Sequence, residues 1–192
     1  MNDVQRLKEL EQLLKLKNER SIRQARKSFF AYCNTKAGDF YKPDRQFLVD
    51  FCNQLQDFYY SDDEVFIVNM PPRHGKSRTI GCFVEWVLGQ NQSEKIMTGS
   101  YNETLSTNFS KTVRDTIAEE KGDDTKIVYS DIFPNVKIKK GDGAMNMWSL
   151  ENGYNNYLAT SPTGTATGFG ASIMIIDCLL YTSPSPRDRT RS

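Results

Sequence analysis

The sequence predicts an α/β fold: a mainly parallel sheet flanked by helices, with a helical extension at the N-terminus. Three observations predict it. Short apolar runs of strand length recur at Val65 to Val68, Lys95 to Ser100 and Ile173 to Asp177. The first two are each followed by a stretch of helical apolar spacing, Arg78 to Leu88 and Tyr101 to Glu120. Strand, helix, strand, helix in this order implies parallel strands joined by right-handed crossovers.

Composition sets the outer bounds. A chain of 192 residues, 38% of them apolar, suits one domain with a small appendage and a sizeable core. No apolar run approaches the ~20 residues that span a bilayer. The N-terminal MNDVQRLKELEQ is charged and lacks the apolar centre of a signal peptide, so a cytoplasmic location is expected. Cys33, Cys52, Cys82 and Cys178 are scattered without a C-x-x-C spacing, which argues against a zinc site or a disulfide framework. A net charge of +1 does not mark a dedicated nucleic-acid-binding domain, although it leaves room for a local basic patch.

Residues 3–32 read as one long amphipathic helix or two, with Leu7, Leu10, Leu13, Leu14, Ile22, Ala25 and Phe29 at helical spacing. Such a helix packs on its own domain or docks a partner subunit. Its basic stretch, Arg20, Arg23, Arg26 and Lys27, reads as a solvated face. Turn signals at Asn34, Gly38, Asp39 and Pro43 precede a second helix over 44–60, with Phe47, Phe51, Leu55 and Phe58 on one face. Gln46 stands at its start. It is either an exposed helical glutamine or one that reads adenine through its amide, as a glutamine upstream of the phosphate loop does in several nucleotide-driven motors.

The central stretch is VFIVNMPPRHGKSRTI, Val65 to Ile80. A buried-type strand, a tight turn and a helix beginning at Gly-Lys-Ser form the layout of a phosphate-binding loop, and with it of a P-loop NTPase. A helix N-terminus aims backbone N–H groups and the positive end of its dipole at an anion. Lys76 would reach the β- and γ-phosphates, and the Ser77 hydroxyl would ligate Mg²⁺. Met70 replaces the first glycine of the motif, and Pro71 and Pro72 have no N–H to donate. Phosphate contacts are therefore expected from Arg73 onward, through His74, Gly75, Lys76, Ser77 and Arg78.

Beyond this loop, Gly89 to Ser93 is a connector, followed by the strand 95–100. The helix over 101–120 has Leu105, Phe109, Val113 and Ile117 in phase. Residues 121–142 read as irregular, with a turn at Asp131 to Pro134. Strands at 145–150 and 155–160 are expected to form a hairpin through Asn152-Gly153. The run SPTGTATGFGAS, 161–172, is either a flexible turn or a loop over the nucleotide or facing DNA. In IMIID, Ile173 to Asp177, a buried strand ends in a carboxylate that would hold Mg²⁺, the second half of a P-loop site.

The composition breaks after Asp177. Cys178 to Asp188 can be encoded by a sequence that resembles, codon for codon, a transposon-end adapter of sequencing libraries. Residues 178–192 are accordingly expected to be an artefactual tail. Leaving them out removes Arg187, Arg189 and Arg191 against Asp188 and takes the net charge from +1 to −1.

Together MPPRHGKS at 70–77, TGSYNETLSTNFSKTVRDTI at 98–117, TGFGA at 167–171 and IMIID at 173–177 resemble the ATPase domain of terminase large subunits, the DNA-packaging motors of tailed bacteriophages. The resemblance covers about residues 30–177. It implies an N-terminal helical segment (1–33), an incomplete P-loop ATPase domain (34–177) that stops after the Walker B strand, and the tail (178–192). Lys76 and Ser77 match the phosphate-loop lysine and the Mg²⁺-binding hydroxyl, and Asp177 matches the Walker B aspartate. Arg73 matches a position where some members carry a cation acting in cis, and Arg114 lies in a V-R-D segment where an arginine acts in trans on a neighbouring subunit. The resemblance also implies ATP and Mg²⁺ as cofactors. Double-stranded DNA, a portal protein, a small terminase subunit and a homo-oligomeric ring are the implied partners, and the host-cell cytoplasm the implied location. Where the family has a second acid after Walker B, this chain has Cys178, and a thiol is a poor general base. The chain as written is expected to bind ATP better than it hydrolyses it. A P-loop helicase, another DNA-dependent ATPase and a non-catalytic fragment remain the alternative readings.

Overall fold

A computed structural model describes residues 3–100, 103–123, 125–142, 144–161, 164, 166 and 168–177. The elements run α1 (Asp3–Lys27), α2 (Phe29–Lys36), α3 (Gln46–Tyr60), α4 (Lys76–Gln90), β1 (Ile96–Ser100), α5 (Glu103–Ile117), α6 (Tyr129–Ile132), β2 (Met147–Trp148), β3 (Tyr157–Thr160) and β4 (Ile173–Asp177). The expected artefactual tail, 178–192, lies outside the described residues. The fold is α/β with a mixed four-stranded sheet. The chain divides into two compact units, Met1–Gln90 with Glu119–Asn135, and Asn91–Ala118 with Val136–Ser192. The expected boundary at 33/34 falls inside α2 of the first unit.

The first unit is helical. The N-terminal helix divides at Ser28, whose extended backbone and side chain cap α2: its Oγ accepts from the Ala31 N–H at 3.3 Å. Gln56 of α3 satisfies a further donor, accepting from the Phe29 N–H at 2.7 Å. Phe29 then packs edge-on to Phe83 and tilted against Trp86, at centroid distances of 5.5 and 5.8 Å. The Trp86 indole N–H donates to the Ala25 carbonyl at 3.1 Å, so the ring is buried without an orphaned donor. Leu48, Phe51 and Leu55 of α3 complete this core.

Three expectations for this unit are corrected. Val65 to Val68 do not form a strand, and Ile67 is 85% exposed. A strand exists only as part of a ladder, and this run has no strand partner among the described residues; Phe66 packs on Phe58 of α3 instead, 5.3 Å between centroids. On α1, Leu7, Leu10, Leu13 and Leu14 are exposed, and burial begins at Ala25. On α3, the buried face is Leu48, Phe51, Cys52 and Leu55, which leaves Phe47 exposed. Residues 121–142 also contain a single helical turn, α6, whose start is fixed by the Asp131 carboxylate accepting from the Val128 N–H at 3.0 Å.

The second unit holds the sheet, in the order β2-β3-β1-β4. β1 pairs in parallel with β3 (Ile96 opposite Tyr157) and with β4 (Ile96 opposite Ile173). β2 and β3 form the expected antiparallel hairpin, with Trp148 opposite Tyr157 and their rings stacked at 4.8 Å. The expected phase of α5 holds at Val113 and Ile117 and shifts by one residue in its first half. Ser106, Ser110, Val113 and Ile117 are buried and Leu105 is exposed. Small residues let the helix lie close to its neighbours, and Ser110 Oγ accepts from the Trp148 indole at 3.0 Å. β4 is not the buried strand expected: it forms one edge of the sheet, with Met174 and Ile176 exposed. No helix among the described residues is long and apolar enough to cross a membrane.

Candidate functional site

The turn before α4 has an unusual backbone. Arg73 lies at φ 63° and Gly75 at φ 89°, with His74 between them on the ordinary side of the map. Alternation of hand along a turn is one feature of the backbone nests that bind anions. Glycine adopts this conformation freely, whereas at Arg73 it costs about 1–2 kcal/mol. The Gly75 carbonyl then accepts the first helical bond, from the Thr79 N–H at 2.8 Å. Lys76 and Ser77 therefore stand in the first turn of α4, at the positive end of its dipole.

The side chains of the turn are held from below by the segment 37–48. His74 Nδ1 lies 2.9 Å from the Pro72 carbonyl; a carbonyl only accepts, so Nδ1 carries the proton. The His74 ring meets the edge of Phe47 at 6.0 Å, which gives that exposed phenylalanine a partner. The Arg78 guanidinium sits 4.7 Å from the Phe40 ring centroid and 5.8 Å from that of Tyr41. Arg45 lies over the same Phe40 ring at 5.3 Å. Tyr41 is buried, its hydroxyl 3.0 Å from Thr79 Oγ1 in the first turn of α4, and burial pushes its phenol well above the usual range.

The remaining expected residues lie elsewhere. Gln46 opens α3, and its amide donates to Asp50 Oδ1 at 2.8 Å. Arg114, in the last turn of α5, pairs with its neighbour Asp115 at 3.0 Å and donates to the Ala144 carbonyl. Asp177 ends β4 opposite Ser100, whose hydroxyl donates to the Asp177 carbonyl at 3.2 Å. Ser77 belongs to the first unit and Asp177 to the second. Of the Gly-rich run, Pro162, Thr163, Thr165 and Thr167 lie outside the described residues, and Gly168 has a left-handed φ of 86°. Among the described residues, no three His, Cys, Asp or Glu side chains are grouped to hold a metal ion. Mg²⁺ held with a nucleotide asks for less, one or two carboxylates plus substrate phosphates.

Sequence reasoning missed a second polar cluster on α4. Glu85 is 1% exposed, accepts from the Tyr32 hydroxyl at 2.7 Å and is ion-paired with Lys36 at 2.6 Å. The Tyr129 hydroxyl donates to the Glu85 carbonyl at 3.0 Å. Burial, then the Glu85 charge, push the Tyr32 and Tyr129 phenols well up. For Lys36, burial is the largest influence and lowers the ammonium, but the charge and hydrogen bond of Glu85 together with neighbouring Cys82 and Cys33 outweigh it, and the net shift is upward. Cys33 lies close to Cys52, 4.0 Å between sulfurs, and burial raises its thiol. One signal was available: a single acid inside the apolar run GCFVEWVL must find a partner if that run is buried.

Neither a scan against protein-family models nor a search of curated proteins finds a match to this chain.

Proposed function

We propose that the turn Met70 to Arg78 binds the phosphates of ATP with Mg²⁺, and that the chain is the ATPase part of a terminase-like motor that moves double-stranded DNA. One observation supports the nucleotide reading above the others. Arg73 and Gly75 alternate in hand with His74 immediately before the Gly-Lys-Ser start of α4. Random turns have no reason to hold an arginine in a left-handed conformation at that cost. In this reading, the N–H groups from Arg73 onward cradle the β- and γ-phosphates, Lys76 neutralises them, and Ser77 supplies an oxygen to Mg²⁺. Bound Mg²⁺ would offset charge on the phosphates; the chain's own task is to bind and orient them. The packaging role rests on the four sequence segments that resemble terminases, with the portal, the small subunit and a ring of copies as the partners that role requires.

The test is equilibrium binding of a fluorescent ATP analogue to the full chain and to Lys76→Ala. Removing the Lys76 ammonium is expected to weaken binding by at least tenfold, about 1.4 kcal/mol, the scale of a charge-assisted hydrogen bond. Equal affinity in the two proteins refutes the site. Stimulation of ATP turnover by double-stranded DNA separates a DNA motor from a nucleotide-binding fragment.

A further inference from the structure

The phosphate loop rests on an aromatic ring. A Cβ built on Gly75 would come within 2.6 Å of Phe40 Cζ and 2.8 Å of Cε1, so the ring lies directly against the Gly75 backbone. The same ring carries the guanidinium of Arg78, from the first turn of α4, and that of Arg45, from the residue before α3. Among the described residues neither guanidinium is paired with a carboxylate. Among those residues no ion pair offsets either charge, and the ring holds two cations beside the loop.

Phe40 is itself fixed. Its N–H and that of Tyr41 both donate to the Ala37 carbonyl, at 3.0 and 2.9 Å, which closes a tight turn. The Phe40 carbonyl accepts from Arg45 at 3.2 Å, and Asn34 Nδ2 donates to the Tyr41 carbonyl at 2.6 Å. The Tyr41 ring meets Phe40 edge-on at 5.0 Å, and its hydroxyl bonds Thr79. The turn 37–45 therefore touches the loop and the first turn of α4 at Gly75, Arg78 and Thr79.

We propose that Phe40 is the positioning residue of the phosphate loop: its ring holds Gly75 in the left-handed conformation and docks Arg45 and Arg78 next to the anion. The proposal rests on the phosphate-loop reading of residues 70–78. Loop ordering is completed before the ligand arrives, so the entropy of ordering is not charged to binding. Phe40 acts through the loop and touches no part of the nucleotide.

The test compares Mg²⁺-ATP with Mg²⁺-tripolyphosphate, which has the anion but no base, on the full chain. Phe40→Ala is expected to weaken both ligands by a similar factor, about tenfold, the combined scale of a cation–π contact and lost preorganisation. Phe40→Tyr, which keeps the ring, is expected to bind both like the original chain. In the Phe40→Ala background, Arg78→Gln is expected to cost less affinity than in the original chain, because the guanidinium is no longer docked. If Phe40→Ala does not fold by circular dichroism, Phe40→Leu keeps the apolar volume without the ring and carries the same expectation. Unchanged affinity for both ligands overturns the proposal. So does a loss confined to ATP, which would mean that Phe40 contacts the base. Failure of the original chain to bind either ligand refutes the phosphate-loop reading itself, a result distinct from both.

Discussion

Replacing Lys36 by Met leaves Glu85 at the centre of the first unit without its counter-ion. The carboxylate is 1% exposed, and its two oxygens lie 2.7 and 2.6 Å from the Lys36 ammonium. Removing one partner of a buried pair costs roughly 3–5 kcal/mol. Two features reduce that figure here. The Lys36 side chain is 33% exposed, so water reaches its end of the pair, and the Tyr32 hydroxyl still donates to Glu85. The expected loss is about 2–3 kcal/mol for Lys36→Met. Glu85→Gln is expected to cost less, about 1 kcal/mol, because the amide keeps an acceptor for Tyr32 and the orphaned ammonium can hydrate. Urea unfolding at neutral pH, followed by far-ultraviolet circular dichroism and by tryptophan fluorescence, measures both. Trp86 sits in the first unit and Trp148 in the second, so two transitions would also show whether the units unfold separately. If Lys36→Met costs no more than Glu85→Gln, the carboxylate is not held as a buried anion, and the pairing is not what stabilises α4 against α2.

Two further outcomes follow from the same physics. Tyr32, Tyr129 and Lys36 all hold their protons more tightly folded than at their ordinary values of 10.0, 10.0 and 10.5. The unfolded chain therefore loses protons first as pH rises, and the stability from these groups is full below about pH 10 and lost as pH climbs through the folded values. Thermal unfolding midpoints are expected to fall steeply above that pH and phenolate absorbance to rise together with unfolding; phenolate formation by these tyrosines in a still-folded chain contradicts this. In the second unit, buried Asn156 donates to the Gln92 and Glu94 carbonyls at 2.6 and 3.0 Å and accepts from the Leu150 N–H at 2.9 Å. Asn156→Ala is expected to cost about 2–3 kcal/mol in urea unfolding, since a buried donor is left unsatisfied; a cost under ~0.5 kcal/mol would show that water replaces the amide.

Local signals survived the passage from sequence to structure. The amphipathic stretches over 44–60, 78–88 and 101–120 became α3, α4 and α5, and the runs at 95–100 and 173–177 became β1 and β4. The hairpin between β2 and β3 is present, although its connection is longer than Asn152-Gly153 implied, with Asn155 also in a left-handed conformation at φ 48°. Helical periodicity and turn chemistry act over a few residues, so a short window carries them.

The turn that opens α4 is partly local too. Two prolines, a Gly-Lys-Ser and a helical run set where the chain bends and where the dipole points. What holds that turn is not local: Phe40 and Tyr41 lie 35 and more positions upstream, and no spacing rule connects a ring at 40 with a glycine at 75. The same holds for Glu85, whose ammonium partner is 49 positions away. Tertiary structure also decided which of two adjacent faces is buried, Ser106 and Ser110 rather than Leu105 and Phe109, because the packed neighbour is Trp148. It left Val65 to Val68 outside any strand and β4 at an edge, since apolar composition supplies strand propensity but only a neighbouring chain supplies the hydrogen bonds. By itself the sequence determined where most helices and turns start. Pairing across the chain decided what is buried, what is paired and what holds the loop in shape, because those energies exist only between residues that folding brings together.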